Sequence, residues 1–388
     1  MKVNYVDKGA ERYIVGQVER FDQKNEMFKR AFWDPSVRDL GRKFYEGEVR
    51  PKAKPGYRLQ DQALVNAAWH LENSFGKGVL GGGVGLYDWN WDGRFLFPRV
   101  PPGLKITVDD PAEVTQEVKK AARFLGASLV GVCELDRRWL YSYAYLLYEN
   151  GGQEVQKIEI PEEYKYAIVI AIEMDYQAIG CSPACPASAA TGLGYSKMAF
   201  IAGLLAQYIR GLGYQAIPMG NDTACSIPLA IDAGLGELGR NGLLITPEFG
   251  PRVRLCKVFT DLPLVPDRPI EFGVWDFCLK CKRCAEECPS QAIMRGEPTE
   301  RPHSISNREG VLRWPIDAER CFAFWAAHGI DCSNCIRVCR FNKPPGWLHS
   351  AVRWGVKNAR WLDSTFVRLD KLFGYGRKYS ATKFWTHW

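Results

Sequence analysis

Cys278-Leu-Lys-Cys281-Lys-Arg-Cys284-Ala-Glu-Glu-Cys288-Pro289 sets four cysteines within eleven residues and closes them with proline. This C-x₂-C-x₂-C-x₃-C-P spacing is the ligand run of bacterial iron–sulfur proteins: three thiolates wrap one face of a cuboidal cluster, and the fourth reaches a second cluster. A second group, Cys321-x₁₀-Cys332-x₂-Cys335-x₃-Cys339, keeps the C-x₂-C-x₃-C end and inserts a longer segment after its first cysteine. The expected pairing is Cys278, Cys281, Cys284 and Cys339 around one [4Fe–4S] cluster, with Cys288, Cys321, Cys332 and Cys335 around the other. The alternative is zinc, which is usually held by two separated C-x₂-C pairs rather than by such a run. Two clusters in series pass single electrons, so the rest of the chain is expected to hold a destination for them.

Working outward, the 388 residues are 46% hydrophobic and 24% charged, which excludes a mostly disordered chain and allows two or three domains. The thirteen cysteines are grouped rather than scattered, so a disulfide framework is not indicated. Cys133 and Cys256 read as buried thiols, and Cys181 and Cys185 as apolar loop thiols, with a ligand role for that C-x₃-C pair the alternative. The best apolar stretches, around Ile168–Ile172 and Met198–Ile209, fall short of the roughly 20 residues of a membrane span. The net charge is +7, and residues 352–388 hold eight Lys/Arg against two Asp. The remainder is nearly neutral, which argues against a nucleic-acid footprint.

The chain divides into four expected parts. Residues 1–105 are aromatic- and glycine-rich, with a short helix over Gln60–Asn73, and cover the core. Residues 106–275 alternate helix and strand, a mixed α/β (α+β) layered domain. Asp110-Pro111 starts a helix that ends near Gly126. Strands are expected at Ser128–Cys133, Tyr166–Ile172, Tyr214–Pro218, Leu243–Thr246 and Val253–Phe259, and helices at Ser196–Leu212 and Ile227–Ala233. Residues 276–345 carry the cysteine groups, and residues 346–388 form a basic, Trp-rich tail. That tail reads as a solvated amphipathic closing segment, the alternative being contact with anionic lipid or a membrane-bound partner. No dinucleotide fingerprint appears, because Gly81–Gly85 lacks the strand–turn–helix context.

The stretch Gly220-Asn221-Asp222-Thr223-Ala224-Cys225-Ser226-Ile227-Pro228, running through Ala233-Gly234-Leu235-Gly236-Glu237-Leu238-Gly239-Arg240-Asn241-Gly242 to Arg252-Val253-Arg254, closely resembles the corrinoid-dependent reductive dehalogenases. The resemblance spans roughly residues 60–375, most specifically 190–345, and fits a respiratory-type catalytic subunit. It implies a nitroreductase-like core that binds a cobalamin-type corrinoid base-off, beside a ferredoxin-like segment with two [4Fe–4S] clusters. The histidines, His70, His303, His328, His349 and His387, show no D-x-H-x-x-G context, in keeping with a cobalt that has no protein histidine below it. The turn containing Gly236, Leu238, Gly239, Arg240 and Asn241, together with Ser226, is the implied corrinoid contact. Its plainer reading, a tight helix–strand connection, is compatible.

The implied reaction is R–X + 2e⁻ + H⁺ → R–H + X⁻. The family's proton donor is a tyrosine, matched by Tyr195 in Thr191-Gly192-Leu193-Gly194-Tyr195-Ser196. A neighbouring cation would lower its pKa and make it the better acid. Arg254 is the candidate cation and Arg252, two residues away on the strand, the fallback; Asn221 matches a residue that binds the tyrosine or the leaving halide. Packing explains Tyr195 alternatively as a core ring, Arg254 as an ion-pair partner of Glu248 or Asp261, and Asn221 as a turn residue. Trp89, Trp91, Trp325 and Trp347 are candidate walls of a substrate channel.

The implied partners are a small organohalide, a low-potential electron donor and, for respiratory members, a small membrane-anchor protein; nucleic acid is not expected. No twin-arginine signal is visible, so the expected location is the extracytoplasmic face of the membrane if a signal was removed, and otherwise the cytoplasm. Epoxyqueuosine reductase is the nearest rival: it shares core and clusters, but is expected to carry a helical-repeat domain, where this sequence has 49 residues after Cys339, and an acidic donor. A non-catalytic iron–sulfur electron carrier is the rival from another class.

Overall fold

The computed structural model describes residues 3–76, 85–89, 103–147, 152–344 and 374–386. The N-terminal helices are α1 (Met27–Trp33), α2 (Arg38–Tyr45) and α3 (Leu59–Phe75). The central ones are α4 (Pro111–Phe124), α5 (Tyr176–Gly180), α6 (Cys185–Gly211) and α7 (Ser226–Asp232). The cysteine region contributes α8 (Val274–Cys281), α9 (Arg283–Glu286), α10 (Ala318–His328) and α11 (Asn334–Arg337), and α12 (Ala381–Thr386) lies near the C-terminus. The strands are β1 (Asn4–Tyr5), β2 (Leu129–Glu134), β3 (Tyr143–Leu147), β4 (Gln153–Lys157), β5 (Tyr166–Glu173), β6 (Ala216–Met219), β7 (Glu237–Leu238), β8 (Leu244–Ile245), β9 (Val253–Thr260) and β10 (Ile270–Glu271).

The core is a four-stranded sheet in the order β2-β5-β9-β6, antiparallel throughout. Side chains alternate between its faces with period two. Ile168, Ile170, Ile172, Cys256 and Val258 pack on one face with α4 and α6. Ala167, Val169, Ala171, Leu255 and Phe259 pack on the other with α7. Each fully buried Ile or Leu contributes about 1.5–3 kcal/mol, so a sheet covered on both faces is the main source of stability. The same alternation sends Arg254 toward α6 and Lys257 toward α7.

The helix start at Asp110 forms as its residues dictate, with the Asp110 side chain accepting from the Ala112 amide at 2.8 Å and proline opening the first turn. Helix α6 departs from expectation. It begins at Cys185 rather than Ser196 and runs 27 residues, straight through Gly192 and Gly194. A glycine weakens a helix interior by roughly 1 kcal/mol relative to alanine, but both positions face close neighbours. A Cβ on Gly192 would overlap the Trp69 ring, and one on Gly194 would sit 2.8 Å from Arg254 Cγ. Those approaches set α3 and β9 tightly against α6. Among the described residues α6 is also long and apolar enough to cross a membrane, contrary to the shorter stretches read from sequence; most of it is buried within the protein.

Residues before 105 are woven into the rest: β1 pairs with β10, Ile14 bridges Val311, and α3 packs along α6. In the cysteine region, Lys282 takes a left-handed conformation (φ 50°) between α8 and α9. That break turns the chain, and Cys278, Cys281 and Cys284 line one cavity together.

Candidate functional site

Tyr195 lies on α6, clamped from three sides. The Trp69 ring of α3 stacks on it, with centroids 4.9 Å apart and planes at 23°. The Arg254 guanidinium of β9 sits 5.2 Å from its ring centroid. Asn221, in the turn after β6, donates from Nδ2 to the phenol oxygen at 2.7 Å. Ser196 fastens the arrangement: its Oγ donates to the Ala68 carbonyl at 2.6 Å and accepts from the Glu72 amide at 3.2 Å. Arg254 is held by Thr191, which accepts from Nη2 at 3.1 Å, and faces the buried Asp331 carboxyl. Its Nε is buried with no hydrogen-bond partner among the described residues.

Because Asn221 donates to the phenol oxygen, the phenol's own hydrogen is free to point elsewhere. The pKa of Tyr195 is raised: burial dominates, Arg254 and the Asn221 hydrogen bond pull it down, and Glu72 and Asp331 push it up. The cation was expected to set the direction, but desolvation outweighs it. Tyr195 therefore carries its proton at neutral pH.

Asn221 also lines a cavity of about 400 Å³ on the other side of the sheet edge. Its walls include Tyr13, Trp139, Ile227, Leu238 and Trp314, with Ser226, Cys225 and Arg308 as polar points. Arg308 donates to Cys225 Sγ at 3.3 Å. Trp139 Nε1 is buried and has no acceptor among the described residues. Glu26 at the rim accepts from the Tyr141 hydroxyl, and burial lifts its pKa to about 7.

The cysteines fall into two sets. Cys278, Cys281, Cys284 and Cys339 line one small cavity together with Arg240 and Asn241. Cys288, Cys321 and Cys332 act on one another and on Cys335 electrostatically. Burial and mutual repulsion raise these thiols, Cys321 and Cys339 to about 12 and Cys332 to about 11. Converging thiols that repel one another as thiolates form a donor set suited to a cationic metal core.

The structure brings Tyr195, Asn221 and Arg254 together. Arg252 is engaged elsewhere: it donates to Asn342 Oδ1 at 3.0 Å, to Glu173 Oε1 at 2.5 Å and to the Met174 carbonyl. Ser226 and Leu238 face the large cavity, and Ser226 accepts from Lys257 at 3.1 Å. Gly236 and Gly239 shape the β7–β8 hairpin, where a Cβ on Gly236 would strike the Ile245 carbonyl. Arg240 and Asn241 turn away from the large cavity. Arg240 donates to the carbonyls of Cys278, Met294 and Gly296 at 2.8–3.0 Å and stacks on Trp314. The hairpin thus stands between the large cavity and the first cysteine set. Trp89 packs on the core, Trp325 joins Phe28 and Phe44, and Trp91, Trp347 and residues 345–373 of the tail lie outside the described residues. Trp69 and Asp331 escaped the sequence reading, since only the packing of α3 and the cysteine region on α6 brings them to the site; Thr191, one turn before Tyr195 on α6, gains its part through Arg254 of β9.

Residues 277–342 match the family model of the 4Fe-4S double cluster binding domain. The chain is similar to the tetrachloroethene reductive dehalogenase of Sulfurospirillum multivorans, at 38% identity over 384 residues that cover 91% of this chain and 75% of that one. Among solved structures it is similar to the catabolic reductive dehalogenase NpRdhA in complex with 3-bromo-4-hydroxybenzoic acid, with a TM-score of 0.72 and 25% identity over 97% of this chain. A reductive dehalogenase structure described for B12-dependent dehalogenation shares the fold, with a TM-score of 0.72 at 23% identity over 97% of this chain. The chain spans about half the length of these two solved proteins, 50% and 49%.

Proposed function

The chain belongs to the reductive dehalogenases, and from that premise we propose that it removes halide from a small organohalide, R–X + 2e⁻ + H⁺ → R–H + X⁻, with Tyr195 as proton donor. The observation that carries the assignment of Tyr195 is the 2.7 Å hydrogen bond in which Asn221 donates to the phenol oxygen, beneath the Arg254 guanidinium. It leaves the phenolic hydrogen for the substrate carbon. Once that hydrogen has gone, Asn221 and Arg254 face a phenolate, and both favour the charge. Trp69 and Ser196 fix the ring so that the oxygen keeps one position.

A bound corrinoid would supply a reducing cobalt, and two [4Fe–4S] clusters would carry single electrons to it. The residues present fit both groups. The large cavity has apolar walls and an orphaned Trp139 N–H, suited to the apolar face and amide fringe of a corrinoid, with Ser226 and Leu238 beside it. Cys278, Cys281, Cys284 and Cys339 would hold one cluster, and Cys288, Cys321, Cys332 and Cys335 the other. Arg240, tied to the Cys278 carbonyl, braces the hairpin between the first cysteine set and the large cavity. The same reading includes a low-potential electron donor, a small membrane-anchor partner and an extracytoplasmic location, and rests for these on the family resemblance.

The epoxyqueuosine reductase and electron-carrier readings are not favoured, given relatives named as dehalogenases over most of the chain. The test is Tyr195→Phe. The variant should keep iron and corrinoid content while chloride release from a chlorinated ethene falls by about 100-fold or more. Unchanged release would remove Tyr195 from the chemistry.

A further inference from the structure

Each turnover spends the proton of Tyr195, and the phenol must regain one before the next. The groups around it differ in their fitness to supply it. Asp331 is buried and hydrogen-bonded to Ser188 and Thr191, where it serves the Arg254 cation. Lys257 is buried on the opposite face of β9, bound to the carbonyls of Gly220 and Asp222. Glu26 lies at the large cavity with Tyr141.

Glu72 is different. It sits one turn beyond Trp69 on the side of α3 that Ser196 fastens to α6, so its backbone position is fixed relative to Tyr195. Its carboxyl accepts from the Tyr87 hydroxyl at 3.5 Å. Tyr87 in turn abuts Gly220, the residue before Asn221, where a Cβ would be 2.9 Å from the hydroxyl. Contacts therefore run from Glu72 through Tyr87 to the Gly220–Asn221 turn that binds the Tyr195 phenol. Among the described residues, the charged and titratable groups facing Glu72 are Tyr87, Asp222, Tyr195 and Cys256, none of them a cation. Burial and the Asp222 charge raise its pKa to about 8, so the carboxyl holds a proton at neutral pH. Among the described residues Glu72 is partly buried, enough to raise its carboxyl but short of sealing it from solvent.

We propose that Glu72 is the relay residue that returns a proton to Tyr195 after each turnover. The Glu72 O–H bond breaks, the phenolate oxygen gains the hydrogen and becomes the phenol, and the Glu72 carboxylate is reprotonated from solvent. No electron moves in this step. The inference rests on the donor role of Tyr195 given above.

The test uses Glu72→Gln in the reduced, fully loaded enzyme, with tetrachloroethene as probe. The first chloride per chain should appear at the wild-type rate, because Tyr195 starts protonated. Steady-state kcat should then fall about 100-fold with KM unchanged, and Glu72→Asp should restore much of it. In the wild type, steady-state turnover should decline as pH rises through about 8, since a raised carboxyl pKa keeps the acid form below that value and loses it above. Equal slowing of the first and later turnovers, or no slowing at all, would overturn the relay. Infrared difference spectra read the carboxyl without turnover. Subtracting the Glu72→Gln spectrum from that of the wild type cancels the Glu26 carboxyl and should leave one protonated-carboxyl band that titrates near pH 8. Absence of that difference band would contradict the proposal even if the wild type released no halide, an outcome that would refute the dehalogenase assignment separately.

Discussion

Two arginines two residues apart, Arg252 and Arg254, show how little a residue type says without its neighbours. Arg254 lies over Tyr195 and reaches Thr191. Arg252, 1% exposed, ties the Met174 carbonyl, Glu173 and Asn342 together where β5 ends. Arg254→Gln should lower turnover of the folded enzyme about 10-fold, since it removes the charge that favours the phenolate. Arg252→Gln should do the reverse: leaving the buried Met174 carbonyl and Asn342 side chain short of a partner costs about 1–3 kcal/mol, seen as earlier unfolding with chemistry retained in the folded fraction. If the two variants exchanged phenotypes, the assignment of Arg254 to the site would fail. Tyr195, Asn221 and Arg254 were singled out by the family resemblance rather than by a local signal, and the structure brings the three into contact. The direction of the Tyr195 pKa was not legible in the sequence, because it depends on how many atoms from α3, α6 and β9 surround the ring.

At the scale of the element, α6 carries the lesson. The helix was expected to start at Ser196, after Gly192 and Gly194. The structure shows that Gly192 and Gly194 are retained inside the helix because Trp69 and Arg254 occupy the space their side chains would take. A cost in helix propensity of roughly 1 kcal/mol per glycine is set against the packing of two site residues. Gly192→Ala should therefore destabilise by about 1–3 kcal/mol through overpacking, despite the better propensity of alanine. Gly211→Ala, at the end of the same helix with nothing within 4 Å, should be neutral or mildly stabilising. Thermal unfolding of the two variants side by side checks this, and a stabilised Gly192→Ala would show that the close approach is not required. The capped start of α4 and the strands β5 and β9 were legible because caps and short apolar runs are local signals. The antiparallel order β2-β5-β9-β6 was not, because pairing joins segments far apart in the chain.

For the whole molecule, the arrangement is a series of compartments. The first cysteine set is separated from the large cavity by the β7–β8 hairpin, whose Arg240 faces the cysteines and whose Leu238 faces the cavity. Asn221 belongs to both the cavity wall and the hydrogen bond on Tyr195. Electrons and proton would thus arrive from different sides: electrons from the cysteine region past the hairpin, the proton from α6 and α3. The cysteine spacing alone disclosed the first route; the second emerges only where the N-terminal α3 packs on the core. The central claim is that one chain holds two iron–sulfur clusters and a corrinoid beside Tyr195. The most direct measurement loads the purified chain anaerobically with iron, sulfide and cobalamin, counts the metals retained, and assays chloride release from tetrachloroethene under a low-potential reductant. The account predicts about eight iron and one cobalt per chain, with chloride released only when both are present. A chain that retains its iron but no cobalt would contradict it.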